Sequence, residues 1–114
     1  MTNLRERKCV PCRGDTPTLS EEKIDQYLEL VQGWTRSGQM IEKTFTFRNF
    51  REALSFFNKV AEVAEEEDHH PDMGIYQWRR VRLSLTTHAA HGLTENDFVM
   101  AAKIEHLDDE GVPL

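Results

Sequence analysis

The chain has 114 residues, 39% of them apolar and 30% charged, which fits one domain with a modest hydrophobic core. No apolar run approaches the ~20 residues of a membrane span, and no apolar segment follows the charged start Met1 to Lys8, so the expected compartment is the cytoplasm. A formal charge of −6 argues against nucleic acid as a direct partner, because such binding relies on neutralising phosphates.

Residues 1–17 combine Pro11, Gly14 and Pro17 with many charges and read as a flexible arm, ahead of a single domain over 18–114. Cys9 and Cys12 have the spacing of half a zinc site or of a redox pair, but no second pair follows. The first helix is expected to start at Ser20, a good cap, with Leu19 and Ile24 spaced as a hydrophobic staple and Gly33 as terminator. Its stripe is Ile24, Tyr27, Leu28 and Val31. A hairpin follows, with a short strand Trp34–Arg36, a turn at Ser37-Gly38 and a longer strand Gln39–Phe47. Ile41, Phe45 and Phe47 alternate with Glu42, Thr44 and Thr46.

The second helix opens at Asn49, with Glu52 at the capping-box position, and carries Phe50, Ala53, Leu54, Phe57, Val60, Ala61 and Ala64 as its apolar face. A second hairpin is expected from strand Ile75–Trp78, turn Arg79-Arg80 and strand Val81–Thr87. Thr94 then caps a third helix, with Asp97 at the third position, a Leu93–Phe98 staple, and Phe98, Ala101, Ala102 and Leu107 facing inward. The order α-β-β-α-β-β-α predicts an α+β fold, a four-stranded antiparallel sheet with three helices on one face. Open sheet edges point to a homo-oligomer.

The run Glu65-Glu66-Glu67-Asp68-His69-His70-Pro71 conflicts with local physics. Carboxylates at a helix C-terminus lose roughly 0.3–1 kcal/mol each when exposed, and such conflicts often mark functional sites. The same negative end favours the imidazolium form of His69 and His70, moving histidine from its reference of ~6.5 toward working pH. Pro71 restricts His70 to extended backbone. A third imidazole, His88, ends the last strand. Three imidazoles at one edge would form an acid–base apparatus or, alternatively, a zinc site. His91 and His106 read as surface residues.

The spacing Glu65-x-x-x-His69-His70-Pro71, then Trp78, His88 and Asp97, resembles the signature of the pterin-4a-carbinolamine dehydratases. The likeness extends over roughly residues 18 to 107, through Leu19-Ser20-Glu21-Glu22, Gly33-Trp34, Phe45-Thr46-Phe47, Leu85-Thr86-Thr87-His88 and Gly92-Leu93-Thr94-Glu95-Asn96-Asp97. The resemblance implies dehydration of 4a-hydroxytetrahydropterin, the spent cofactor of aromatic amino acid hydroxylases, to quinonoid dihydropterin. It implies His69, His70 and His88 as the catalytic set, with neither metal nor redox cofactor. Asp68-His69-His70-Pro71 and Thr87-His88-Ala89-Ala90 would border the pterin, partly through backbone. Glu65, Trp78 and Asp97 would support them: Glu65 and Asp68 orienting imidazoles, Trp78 packing under the site, Asp97 chiefly capping its helix. Members of the family also include a transcriptional dimerisation cofactor and an enzyme-assembly chaperone, so a non-catalytic interaction protein is the alternative.

Overall fold

The computed structural model describes residues 4–11, 14 and 16–111, the last four of these by backbone alone. A 3-10 turn at Leu4–Glu6 precedes α1 (Glu21–Leu28), β1 (Thr35–Ser37), β2 (Met40–Thr46), α2 (Phe50–Glu67), β3 (Asp72–Tyr76) and β4 (Arg80–Leu85). A second 3-10 turn (His88–Ala90) then leads into α3 (Glu95–Gly111). The predicted order of helices and strands is the observed one. Cys12 lies outside the described residues.

The strands form one antiparallel sheet in the order β1-β2-β4-β3. Ile41 pairs with Leu85, Phe45 with Val81, and Met73 with Leu83. Because side chains alternate along a strand, this register gathers Ile41, Phe45, Val81, Leu83 and Leu85 on one face, where all are buried. Thr44, Thr46 and Arg82 fall on the other face and are exposed. The helices pack over the apolar face, and the buried residues of sheet and helices make one continuous core.

Ser20 caps α1 by accepting the Lys23 backbone N–H, and Asn49 caps α2 through Oδ1 and the Glu52 N–H at 2.9 Å. Glu52 reaches back to the N–H of Arg48 rather than to that of Asn49. The first helix stops at Leu28, short of Gly33, because its hydrogen bonds tighten to an i→i+3 pattern at Leu30 and Val31. Val31 is nonetheless buried.

Three expectations need correction. The inner stripe of α2 is Ala53, Phe56, Val60, Ala64 and Glu67. Phe56 is fully buried, whereas Phe50 and Leu54, assigned to the face, are 50% and 39% exposed. At ~100° per residue the buried stripe centres on Val60, and Phe50 and Leu54 fall about 80° and about 120° away from it. The second hairpin is shifted: β3 starts directly after Pro71 and its turn is Gln77–Arg79. Gln77 and Trp78 hold φ of 50° and 57° there, left-handed values that match hairpin twist but are uncommon without Gly or Asn.

The third correction concerns the arm. Over Leu4–Pro11 it is built into the molecule. Leu4 is buried, Lys103 Nζ donates to the Arg5 carbonyl at 2.7 Å, and Arg7 pairs with Glu95. The 3-10 turn lies against α3, which is why Phe98, Val99, Met100, Ala101 and Ile104 are all fully buried. Of the expected inner side, Phe98 and Ala101 are fully buried and Ala102 and Leu107 only partly. Phe56→Ala empties the centre of this core and is expected to lower unfolding free energy by about 3–5 kcal/mol, read by urea denaturation.

Candidate active site

At the end of α2 the carbonyl of Ala64 accepts the backbone N–H groups of both Asp68 and His69, the latter at 3.1 Å. This requires a left-handed Asp68, φ 51° and ψ 42°, a conformation that Asp tolerates better than most residues. The reversal carries His69 inward, where only 10% of its side chain is exposed, and leaves His70 about half exposed. The His70 ring donates through Nε2 to Glu65.

The His69 ring ends at Asp97. Its Nε2 lies 2.7 Å from Asp97 Oδ1, and Asp97 is fully buried. The other oxygen, Oδ2, accepts the Thr87 hydroxyl at 2.8 Å and the Thr94 backbone N–H at 3.0 Å. The Thr94 hydroxyl lies 2.8 Å from that of Thr87 and accepts the Asn96 N–H. Asp97 is therefore the predicted helix cap and, beyond that, the anchor of His69. A histidine that donates one ring nitrogen to a carboxylate keeps the other, in its neutral form, as an acceptor.

Thr87 also closes a small loop. It forms an isolated antiparallel bridge with Gly92, each N–H meeting the other's carbonyl at 3.1 and 3.3 Å. His88 is exposed on that loop, and its ring has no hydrogen-bonding partner among the described residues.

His69, His70 and His88 line one cavity of about 410 Å³, with Asp68, Thr86, Thr87 and Ala89. Cys9, Val10, Pro11, Glu67 and Asn96 line it as well. The three predicted imidazoles thus meet. Pro71 and Ala90 are buried outside the lining, Ala90 held by its N–H on the Thr87 carbonyl. Glu65 does not line the cavity and acts on it through His70. Trp78 does not pack under the site. It is 63% exposed in the hairpin turn, and the β3–β4 pairing runs from Asp72–Ser84 beside the cavity to Tyr76–Arg80 at the far end. Among the described residues no three His, Cys, Asp or Glu side chains are arranged to hold a metal ion.

Glu67 and Asn96 escape the sequence reading. Glu67 is buried at the C-terminal end of α2, where its Oε1 accepts the Cys9 N–H at 2.8 Å and its Oε2 lies 3.8 Å from Lys103 Nζ. Its position seven residues after Val60 and three after Ala64 is the available signal, because that spacing sets it on the inner stripe.

Residues 17–107 match the family model described as pterin 4 alpha carbinolamine dehydratase. The chain belongs to that family. A protein of Rubrobacter xylanophilus provisionally named a pterin-4-alpha-carbinolamine dehydratase is 44% identical over 108 residues, covering 94% of this chain and all of its own. One of Nitrosomonas europaea with the same provisional name is 46% identical, over 94% of this chain and 97% of its own. A crystal structure titled transcriptional coactivator/pterin dehydratase from Brucella melitensis superposes with a TM-score of 0.76 at 32% identity, covering 80% of this chain and 98% of that one. A pterin dehydratase-like RuBisCO assembly factor of the alpha-carboxysome shares the fold at 20% identity, with a TM-score of 0.56 over 68% of this chain and 89% of its own.

The Thr87 hydroxyl carries much of the site's order, since it serves Asp97 and Thr94 together. Thr87→Val keeps its shape and removes its donor, so it should cost about 1–3 kcal/mol of stability, measured by chemical denaturation.

Proposed function

We propose that this protein is a hydro-lyase that dehydrates 4a-hydroxytetrahydropterin to quinonoid dihydropterin, returning the spent cofactor of aromatic amino acid hydroxylases to use. The observation that carries the reading is the meeting of His69, His70 and His88 in one cavity, in a chain of this family.

In the reaction the bond from C4a to its hydroxyl oxygen breaks, and that oxygen leaves as water after taking a proton. N5 gives up its proton, and the electron pair left behind forms the C4a=N5 double bond. No electrons enter or leave, so the reaction as proposed needs no redox cofactor.

Imidazole exchanges protons near neutral pH, and it needs only hydrogen-bond reach of the atoms concerned. His69 is oriented by Asp97 and the His88 ring is unengaged among the described residues, so these two exchange the protons at N5 and at the departing hydroxyl. His70, steadied by Glu65, orients the pterin ring and shares the work. Asp68, Thr87 and Ala89 complete the border of the ring.

The chain also assembles with copies of itself, as a dimer or tetramer. The open edges of β1 and β3 support this, as do Phe50 and Leu54, exposed on α2. Light scattering on the purified protein is expected to give a multiple of the 13.3 kDa chain mass.

The test of the activity is dehydration of a 4a-hydroxytetrahydropterin by the purified protein. His88→Ala should lower the rate on the order of 10²–10⁴-fold. An unchanged rate removes His88 from the mechanism. Absence of turnover, together with stable capture of a protein partner, replaces the enzyme by the interaction protein that the Brucella structure's title also names.

A further inference from the structure

One wall of the cavity comes from outside the domain that the family model describes. The match begins at residue 17, yet Cys9, Val10 and Pro11 line the cavity together with the imidazoles. Cys9 and Val10 are fixed there through their main chain, and the Cys9 thiol adds a bond to the Asn96 carbonyl at 3.7 Å. Asn96 accepts the Val10 N–H at 3.0 Å and donates to the Val10 carbonyl at 2.7 Å, meeting both polar groups of one residue as a neighbouring strand would. Glu67 Oε1 accepts the Cys9 N–H at 2.8 Å.

Both latches are buried, Asn96 to 4% and Glu67 to 8% exposure; Glu67 ends the helix that leads into His69 and His70, and Asn96 lies in the first turn of α3. Asn96 adjoins Asp97, the anchor of His69, and Glu67 precedes the Asp68 turn. Upstream, buried Leu4 and the bond from Lys103 to the Arg5 carbonyl keep the arm from lifting away. Val10, by contrast, is 62% exposed although it lines the cavity, so its side chain is available to whatever fills the space.

We propose that Cys9–Pro11 is a fixed wall of the substrate site, that Val10 and Pro11 give it an apolar surface against the bound pterin, and that Asn96 and Glu67 are the positioning residues that hold it there. This rests on the pterin-dehydratase reading of the same cavity. The wall supplies no proton, so it contributes binding that is equal in ground and transition states. Its loss therefore raises KM and leaves kcat in place.

The experiment compares the full-length protein with Asn96→Ala and with Val10→Ala, using 4a-hydroxytetrahydropterin turnover and binding of stable 7,8-dihydrobiopterin followed by its fluorescence. Asn96→Ala frees the wall. Val10→Ala removes an exposed side chain without touching either latch, so it folds even where Asn96→Ala does not. The expected result is KM and Kd raised roughly tenfold in Asn96→Ala, equivalent to ~1.4 kcal/mol, and raised by a smaller factor in Val10→Ala, with kcat within twofold of the parent in both.

Unchanged KM and Kd in Val10→Ala overturn the proposal while leaving the dehydratase reading standing. A loss confined to kcat overturns it as well, since that would mark a disturbed His69–Asp97 pair. A parent protein that neither binds nor turns over the pterin overturns both readings together.

Discussion

A buried carboxylate is tolerated only when its oxygens are met by donors, and Asp97 is met three times over. The Thr94 N–H fixes the start of α3, the Thr87 hydroxyl fixes the end of β4, and the His69 ring fixes the turn that follows α2. Three elements distant in sequence are thereby held at one corner of the molecule. Two of the proposed catalytic imidazoles are placed through this corner. His69 is bonded to Asp97 directly, and His88 follows Thr87 in the chain. The corner is as much a part of the core as of the site, which makes the rigidity of one the precision of the other.

The acid run at the end of α2 resolves into separate tasks. Glu65 steadies His70. Glu67 turns inward and holds the arm. Asp68 takes the left-handed backbone that turns the chain back towards α3. Glu66 is exposed. A helix end crowded with carboxylates is a poor design for helix stability alone. It becomes intelligible once an imidazole and a backbone N–H are counted among the partners.

Much of this was legible from residue pattern. The alternation of Ile41 and Phe45 with Thr44 and Thr46 gives the sheet its buried face, and Ser20, Asn49 and Thr94 announce three helix starts. The pair before Pro71, together with His88, announces the cavity. The misreadings of α2 and of the arm share a cause, since each depends on a partner distant in the chain. Phe50, Leu54, Phe56 and Phe57 are all apolar, and only packing against the sheet selects Phe56 for the centre. Gln77-Trp78 contains neither Gly nor Asn, so its left-handed turn is imposed by the pairing of β3 with β4. The arm reads as loose because its anchors, Glu67, Asn96 and Lys103, lie dozens of residues away.

The bridge between Thr87 and Gly92 leaves four residues, His88 to His91, to span a gap already closed at its base. A segment so short has little length to spare. Adding or deleting a residue there would swing the imidazole out of line with its two counterparts, whereas similar changes at the distant Gln77–Arg79 tip would leave all three undisturbed. Among descendants of this chain that keep the chemistry, length variation is thus steered away from one loop and permitted in another.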